Sequence, residues 1–251
     1  MYFLKSRQMA AFLLLFYLGK TSNMNLKTLA LSSLILIFTS SCSGTYHAYY
    51  QTLKIVFSEQ QAAQLSFPEV QQSEIDVISV KRGERPSAIM ALAYLENNQH
   101  KWVSSDNVML VMEKGRVVRT LGLDNNLLYT SNSEMDPLKL LQFTLKGEPK
   151  SKTWSRIVDR SSDEYGYPIE STFNQASADT IQALNLNIET VLYIENLSYM
   201  APSNYLRFNT NWKNYFWFTN NGVLIKSIQQ DSPLSESLEI TYLSRISRLN
   251  Q

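Results

Sequence analysis

The sequence predicts an all-β protein, an antiparallel meander closed or rolled so that its edges are protected. From residue 74 onward, apolar side chains recur with a period of two in short runs. Turn residues separate these runs, and the strongest are Lys114-Gly115 and Asn220-Asn221-Gly222, where glycine takes a positive φ without a Cβ clash. About ten or more strands on short loops would leave open edges unless the sheet curls on itself.

The part before that region has a different character. Two apolar runs, residues 9–18 and 29–38, are each too short to cross a bilayer, which takes about 20 residues. Each has the length of a signal-peptide core. The second ends in Thr39-Ser40-Ser41-Cys42, and Cys42 is the only cysteine in the chain. Small residues before a lone thiol suit cleavage followed by acylation, so residues 1–41 are expected to be a lipoprotein signal and Cys42 the lipidated residue. A buried free cysteine and a two-segment membrane hairpin are the alternatives. Met24-Asn25-Leu26-Lys27 would serve as a complete leader start, which places the expected true start at Met24. Ser43, and not Asp, follows the cysteine, which favours the outer membrane if the cell is Gram-negative.

Composition agrees with export. The chain has 23 basic and 22 acidic residues, and four of the basic ones (Lys5, Arg7, Lys20, Lys27) precede Cys42, so the remainder is mildly acidic. That balance argues against a nucleic-acid partner. An acylated Cys42 leaves no thiol for a disulfide or a thiolate metal site. The residues from 42 onward suffice for one large or two small domains.

In chain order, Tyr46, Tyr49, Tyr50, Leu53 and Phe57 repeat at helical spacing and predict a short amphipathic helix over residues 44–57. Residues 58–73 read as a tether, with a helical turn over residues 58–65. The expected organisation is therefore a signal at 1–41, a lipidated helix and tether at 42–73, and one β-rich domain at 74–251. Strands are expected over residues 74–80, 88–96, 100–103, 107–113 and 116–121. Asp136-Pro137 opens a capped helical turn. Further strands are expected at 153–160 and 169–175, around a turn at Tyr165-Gly166-Tyr167-Pro168, then at 188–197, 204–210, 215–219, 223–229 and 238–243.

Chemistry is sparse. His47 and His100 have no carboxylate spaced to orient them, and no nucleophile elbow, His-Glu-x-x-His or phosphate-binding glycine loop occurs. Asp159, Asp163 and Glu164 read as a solvated acidic loop. No metal or cofactor is expected. The aromatic stretch from Tyr205 to Phe218, interleaved with asparagines, suits stacking on sugar rings through Trp212, Tyr215 and Trp217. The preferred reading is a core set, Phe216 and Phe218, with Tyr215 and Trp217 covering the outer face of the sheet.

Ala91-Leu92-Ala93, Trp102-Val103-Ser104-Ser105-Asp106 and Gly115-Arg116-Val117-Val118-Arg119-Thr120-Leu121-Gly122-Leu123 resemble the group 4 capsule polysaccharide lipoprotein family. Its pattern is a tryptophan, a small residue and Asp, then Gly-Arg-x-x-x-Thr-x-Gly-Leu. The resemblance implies a meander folded into a deformed or partly open barrel and a role in capsule or exopolysaccharide secretion, with no catalytic residues to carry over. Read on their own, Trp102, Asp106, Gly115, Arg119, Thr120 and Gly122 form a structural motif, with Asp106 capping a turn or pairing with Arg116 or Arg119. An exposed Arg116 or Arg119 recognising an acidic sugar or a partner carboxylate is the sharper alternative.

The resulting expectation is a periplasm-facing outer-membrane lipoprotein, a non-enzymatic accessory that binds an export-machine partner or the glycan. The rivals are a lipid or glycolipid carrier with a dry cavity lined by residues 88–95, a polysaccharide-modifying enzyme, and a membrane-spanning barrel. The last is disfavoured by the Leu249-Asn250-Gln251 end, which lacks a terminal aromatic.

Overall fold

The computed structural model describes residues 62, 64–140, 152–161, 164–200 and 210–249. Cys42, Met24, the expected helix at 44–57 and all but the last residue of the expected strand at 204–210 lie outside them. The described residues form twelve strands in one antiparallel sheet. These are β1 (Val77–Arg82), β2 (Ala88–Glu96), β3 (Gln99–Ser104), β4 (Met109–Glu113), β5 (Arg116–Leu121), β6 (Leu127–Thr130), β7 (Lys152–Arg160), β8 (Glu164–Ala183), β9 (Leu186–Tyr199), β10 (Asn211–Phe218), β11 (Leu224–Gln229) and β12 (Leu238–Thr241). Each neighbour in sequence is a neighbour in space, and β12 pairs with β1, Val80 opposite Ile240.

This makes a nearly closed up-and-down barrel with one unsealed seam. β5 and β6 are the two ends of the hydrogen-bonded order. Side chains bridge them instead of a ladder. The Leu127 N–H donates to Thr120 Oγ1 at 2.9 Å, and Thr130 Oγ1 donates to the Val118 carbonyl at 3.3 Å.

Alternation fills the interior. Ile78, Val80, Met90, Trp102, Leu110, Met112, Phe173, Tyr193, Phe216, Phe218 and Ile240 belong to one buried cluster. Phe216 and Phe218 are core, as one reading of the aromatic stretch requires.

Two local expectations change. Residues read as a tether carry α1 (Phe67–Gln72): the Ser66 N–H donates to the Glu69 carboxylate at 2.7 Å, and Pro68 sits in the first turn, where no backbone donor is needed. α1 and a C-terminal helix, α3 (Leu243–Ser247), bury Val70, Val77 and Leu243 together on the outer face of β1. The expected turn at residues 165–168 is part of β8. Gly166, at φ 70, accommodates an irregularity in the β7–β8 register while its N–H donates to Asp159 Oδ1 at 2.7 Å. The chain instead reverses between Arg160 and Glu164. The Asp136-Pro137 signal does open a helical turn, α2 (Pro137–Leu140), with Asp136 Oδ1 accepting the Leu138 N–H at 3.0 Å.

Candidate functional site

Strands β5, β7 and β9 put charge inside the barrel. In β7 the inward positions are Trp154, Arg156, Val158 and Arg160, all buried, while Ile157 points outward and is 44% exposed. In β9 the inward set Tyr193, Glu195, Leu197 contains an acid that is fully buried. Asn214 is its neighbour on β10.

Arg116 is the hub. Its Nε and Nη2 donate to Asp136 at 2.9 and 3.1 Å, and its Nη1 and Nη2 to Glu195 at 2.6 and 3.2 Å. The guanidinium lies 4.9, 5.7 and 5.2 Å from the rings of Trp154, Phe173 and Phe216. Two bidentate carboxylates and three aromatic faces suit a planar, delocalised cation, which an ammonium would not match. Glu195 also accepts from Asn214 Nδ2 at 3.0 Å and from Arg156 Nη1 at 3.3 Å. Burial pushes the Glu195 carboxyl up, but the Arg116 and Arg156 guanidiniums outweigh it and hold its pKa down at about 2. Burial likewise pulls Arg116 down, and Asp136 and Glu195 raise it above its ordinary value. For Arg156 burial wins over Glu195, and its pKa is lowered.

Beside this network lies a cavity of about 280 Å³. Arg156, Val158 and Arg160 of β7, Asn214 of β10 and Gln229 of β11 line it, and it reaches the surface between Arg82, Arg85, Asp124 and Glu236. These four form a ring of ion pairs: Arg82 to Glu236 at 2.8 Å and to Asp124 at 3.0 Å, Arg85 to Asp124 at 3.3 Å and to Glu236 at 3.5 Å. Deeper in, Arg160 Nη1 pairs with Asp231 at 2.8 Å. Gln229 spans the interior to the far end of β5, accepting the Val117 N–H at 3.1 Å and donating to the Gly115 carbonyl at 2.7 Å.

The motif residues serve this construction. Trp102 is core, and Asp106 accepts from Ser104 Oγ in the β3–β4 turn, where pairing with Arg116 or Arg119 was the alternative. A Cβ on Gly115, at φ 95, would fall 2.3 Å from Leu224 Cδ2, and one on Gly122 would fall 3.0 Å from the Asn107 carbonyl. Thr120 holds the seam. Arg119 is exposed on the outer side.

Of the residues expected to face a ligand, Arg116, Trp212 and Trp217 are covered, whereas Arg119 is exposed. Arg116 is 3% exposed and saturated by its carboxylates, so the expected surface position is corrected to the interior. Trp212 is 9% exposed, with its Nε1 donating to the Gln230 carbonyl at 2.8 Å and its ring 5.1 Å from Tyr199. Trp217 lies on the outer face beneath Tyr215 and Lys226, its Nε1 donating to Asp179 Oδ2 at 2.7 Å. Tyr215 is half-buried. Arg156, Arg160 and Glu195 were not singled out from sequence. Their signal is an ionisable residue at a buried parity of an alternating strand, visible only once the inward parity is known.

The family profile described as group 4 capsule polysaccharide lipoprotein gfcB, YjbF matches residues 50–243. The chain belongs to this family. Among family relatives, the chain is 26% identical to the lipoprotein GfcB of Escherichia coli (strain K12) over 187 residues, 74% of this chain and 83% of that protein. It is 24% identical to the lipoprotein YjbF of the same strain over 198 residues, 78% of this chain and 88% of that one. The crystal structure of the hypothetical lipoprotein YmcC from Escherichia coli (K12) superposes with a TM-score of 0.62 at 27% identity, covering 72% of this chain and 89% of that one. The capsule lipoprotein match thus includes every strand from β1 to β12.

Proposed function

We propose that this protein is a lipid-anchored accessory of capsule or exopolysaccharide secretion. It is held in the outer membrane through an acylated Cys42, faces the periplasm, and acts by binding an export-machine partner or the glycan, without catalysis. Family membership over residues 50–243 carries this reading. The charge-free apolar run ending in Ser40-Ser41-Cys42 supports the anchor, with residues 1–41 as signal, Met24 as its start and 42–73 joining the lipid to the barrel. The exterior supports a barrel standing in water: Thr153, Ser155, Glu170, Asn174, Asn196 and Lys213 face outward and are exposed. A membrane-spanning barrel carries an apolar band there. The lipid-carrier reading called for a dry cavity lined by residues 88–95. The cavity described above is lined by other strands and carries arginines.

Deleting the gene should lower surface or secreted polysaccharide, and the Cys42→Ala protein should lose both acylation and outer-membrane fractionation without restoring secretion. Unchanged polysaccharide in the deletion strain would sink the secretory role. Palmitate-analogue labelling of the Cys42→Ala protein would sink the anchor.

A further inference from the structure

The interior network is not balanced around its second arginine. Arg116 takes both carboxylates in bidentate fashion. Arg156 is left with one shared contact to Glu195 at 3.3 Å and one to Ser171 Oγ at 3.4 Å, both through Nη1. Among the described residues, its Nε and Nη2 make no hydrogen bond. The side chain is nonetheless 5% exposed, and its guanidinium is fixed 4.1 Å from the Trp154 ring centroid. A buried guanidinium with unused donors carries a large desolvation cost unless an acceptor reaches it. Arg156 lines the cavity.

The other polar walls are spoken for. Gln229 is committed to Val117, Gly115 and Ser227, and Asn214 to Glu195 and the Gln230 N–H. The group left to meet a guest is Arg156 at depth, with Val117, Leu127, Val158 and Leu238 as apolar wall. Arg82 and Arg85 at the mouth share Asp124 and Glu236 with each other, and an entering anion would compete with those carboxylates. A cavity of about 280 Å³ is larger than a bare carboxylate or phosphate needs, and lies near the lower end of small-ligand sites. A sugar ring fits both features: an anionic substituent for the arginine and apolar C–H faces for the walls.

We propose that the barrel interior binds a single acidic sugar unit, its carboxylate or phosphate taken by Arg156 and its entry guided by Arg82 and Arg85. The choice of a sugar rests on the secretory reading above, whereas the anion site rests on the arginines. A uronate carboxylate and a sugar phosphate share the required chemistry. An alkyl carboxylate shares the anion and would meet the same apolar wall, so it is the rival guest in the test.

Isothermal titration of the full chain in detergent tests this with glucuronate, glucose 1-phosphate, glucose, inorganic phosphate and decanoate. Glucuronate, glucose 1-phosphate or both should give a saturable signal, and which of them binds names the anion. Glucose should bind at least tenfold more weakly. Arg156→Gln should weaken binding at least tenfold. Arg85→Ala, at a side chain 54% exposed and so harmless to folding, should weaken it two- to tenfold and reduce its salt dependence. Neither acid binding, glucose or inorganic phosphate binding as tightly as the acids, decanoate alone binding, or an unaltered affinity in Arg85→Ala would each overturn the proposal. A saturable acid signal with normal secretion in the deletion strain would leave this site standing and remove the secretory role. Lost secretion without binding would do the reverse.

Discussion

The two sides of the barrel interior are built on opposite principles. On β1 to β4 and β12 the inward residues are Ile78, Val80, Met90, Trp102, Leu110, Met112 and Ile240, an apolar wall stabilised by area removed from water. On β7, β9 and β10 the inward positions include Arg156, Arg160, Glu195 and Asn214, threaded between Trp154, Phe173 and Phe216. An apolar wall tolerates the loss of one member in proportion to the cavity left behind. A buried ionic network gains little over an apolar filling of the same volume, yet fails when one partner is removed, because the remaining charge is stranded. A barrel that needed only stability would repeat the first solution all the way round. The second solution costs desolvation and leaves a cavity, which is why the proposed site is placed there.

The contrast is broken most severely at Glu195. Glu195→Ala leaves Arg156 with no carboxylate and Arg116 with Asp136 alone, and should cost about 3–5 kcal/mol in urea unfolding. Replacing Arg116, Asp136, Arg156 and Glu195 together by apolar residues of similar volume should cost far less than that single change. A larger loss would refute the distinction between the two sides. On the apolar side, Trp102→Ala should cost about 3–5 kcal/mol, toward the lower end if its neighbours collapse into the gap. An unchanged unfolding midpoint would mean that the indole is not core.

Acid sharpens the comparison next. The Glu195 pKa is held at about 2 in the fold, against an ordinary 4.5. The stabilisation is therefore complete above pH 4.5 and is lost as the pH falls through that value toward 2, an effect on the order of 3 kcal/mol. Other paired carboxylates contribute to acid unfolding. The portion that disappears in Glu195→Gln is the one assigned here, and an identical acid profile for the two proteins would count against it.

The seam ranks fourth. Thr120→Val removes the acceptor of the buried Leu127 N–H and should cost about 1–2 kcal/mol, with faster amide exchange confined to β5 and β6. Exchange that quickens equally in β1 and β12 would argue against a local opening. Smallest of all, Ile157→Thr on the exposed face of β7 should stay within about 0.5 kcal/mol, despite lying between two residues whose loss would be severe.

These contrasts also mark the limit of what residues alone reveal. Period-two runs and the Lys114-Gly115 and Asn220-Asn221-Gly222 turns specify strands and hairpins, because side-chain alternation and positive φ are local requirements. The same local logic placed the Asp136-Pro137 helical turn and gave Phe216 and Phe218 to the core. It failed where locality ends. The segment 177–180 in β8, Ser-Ala-Asp-Thr, has no apolar alternation, and only pairing with β9 makes it a strand. Gly166 and Pro168 look like a reversal, yet they are absorbed as a register irregularity because the neighbouring strands continue past them.

Which parity of β7 faces inward is undecidable from Trp154-Ser155-Arg156-Ile157-Val158-Asp159-Arg160, since either choice buries apolar residues. Glu195, on β9, settles it by supplying the carboxylate that lets Arg156 point inward. Arg116 shows the division most sharply. Its place in the Gly-Arg-x-x-x-Thr-x-Gly-Leu motif was legible. Its burial was not, because the partners that make burial tolerable, Asp136 and Glu195, lie 20 and 79 positions away in sequence. Turns and alternation are paid for within a few residues, whereas the cost of burying a charge is balanced only by groups that the closed barrel brings together.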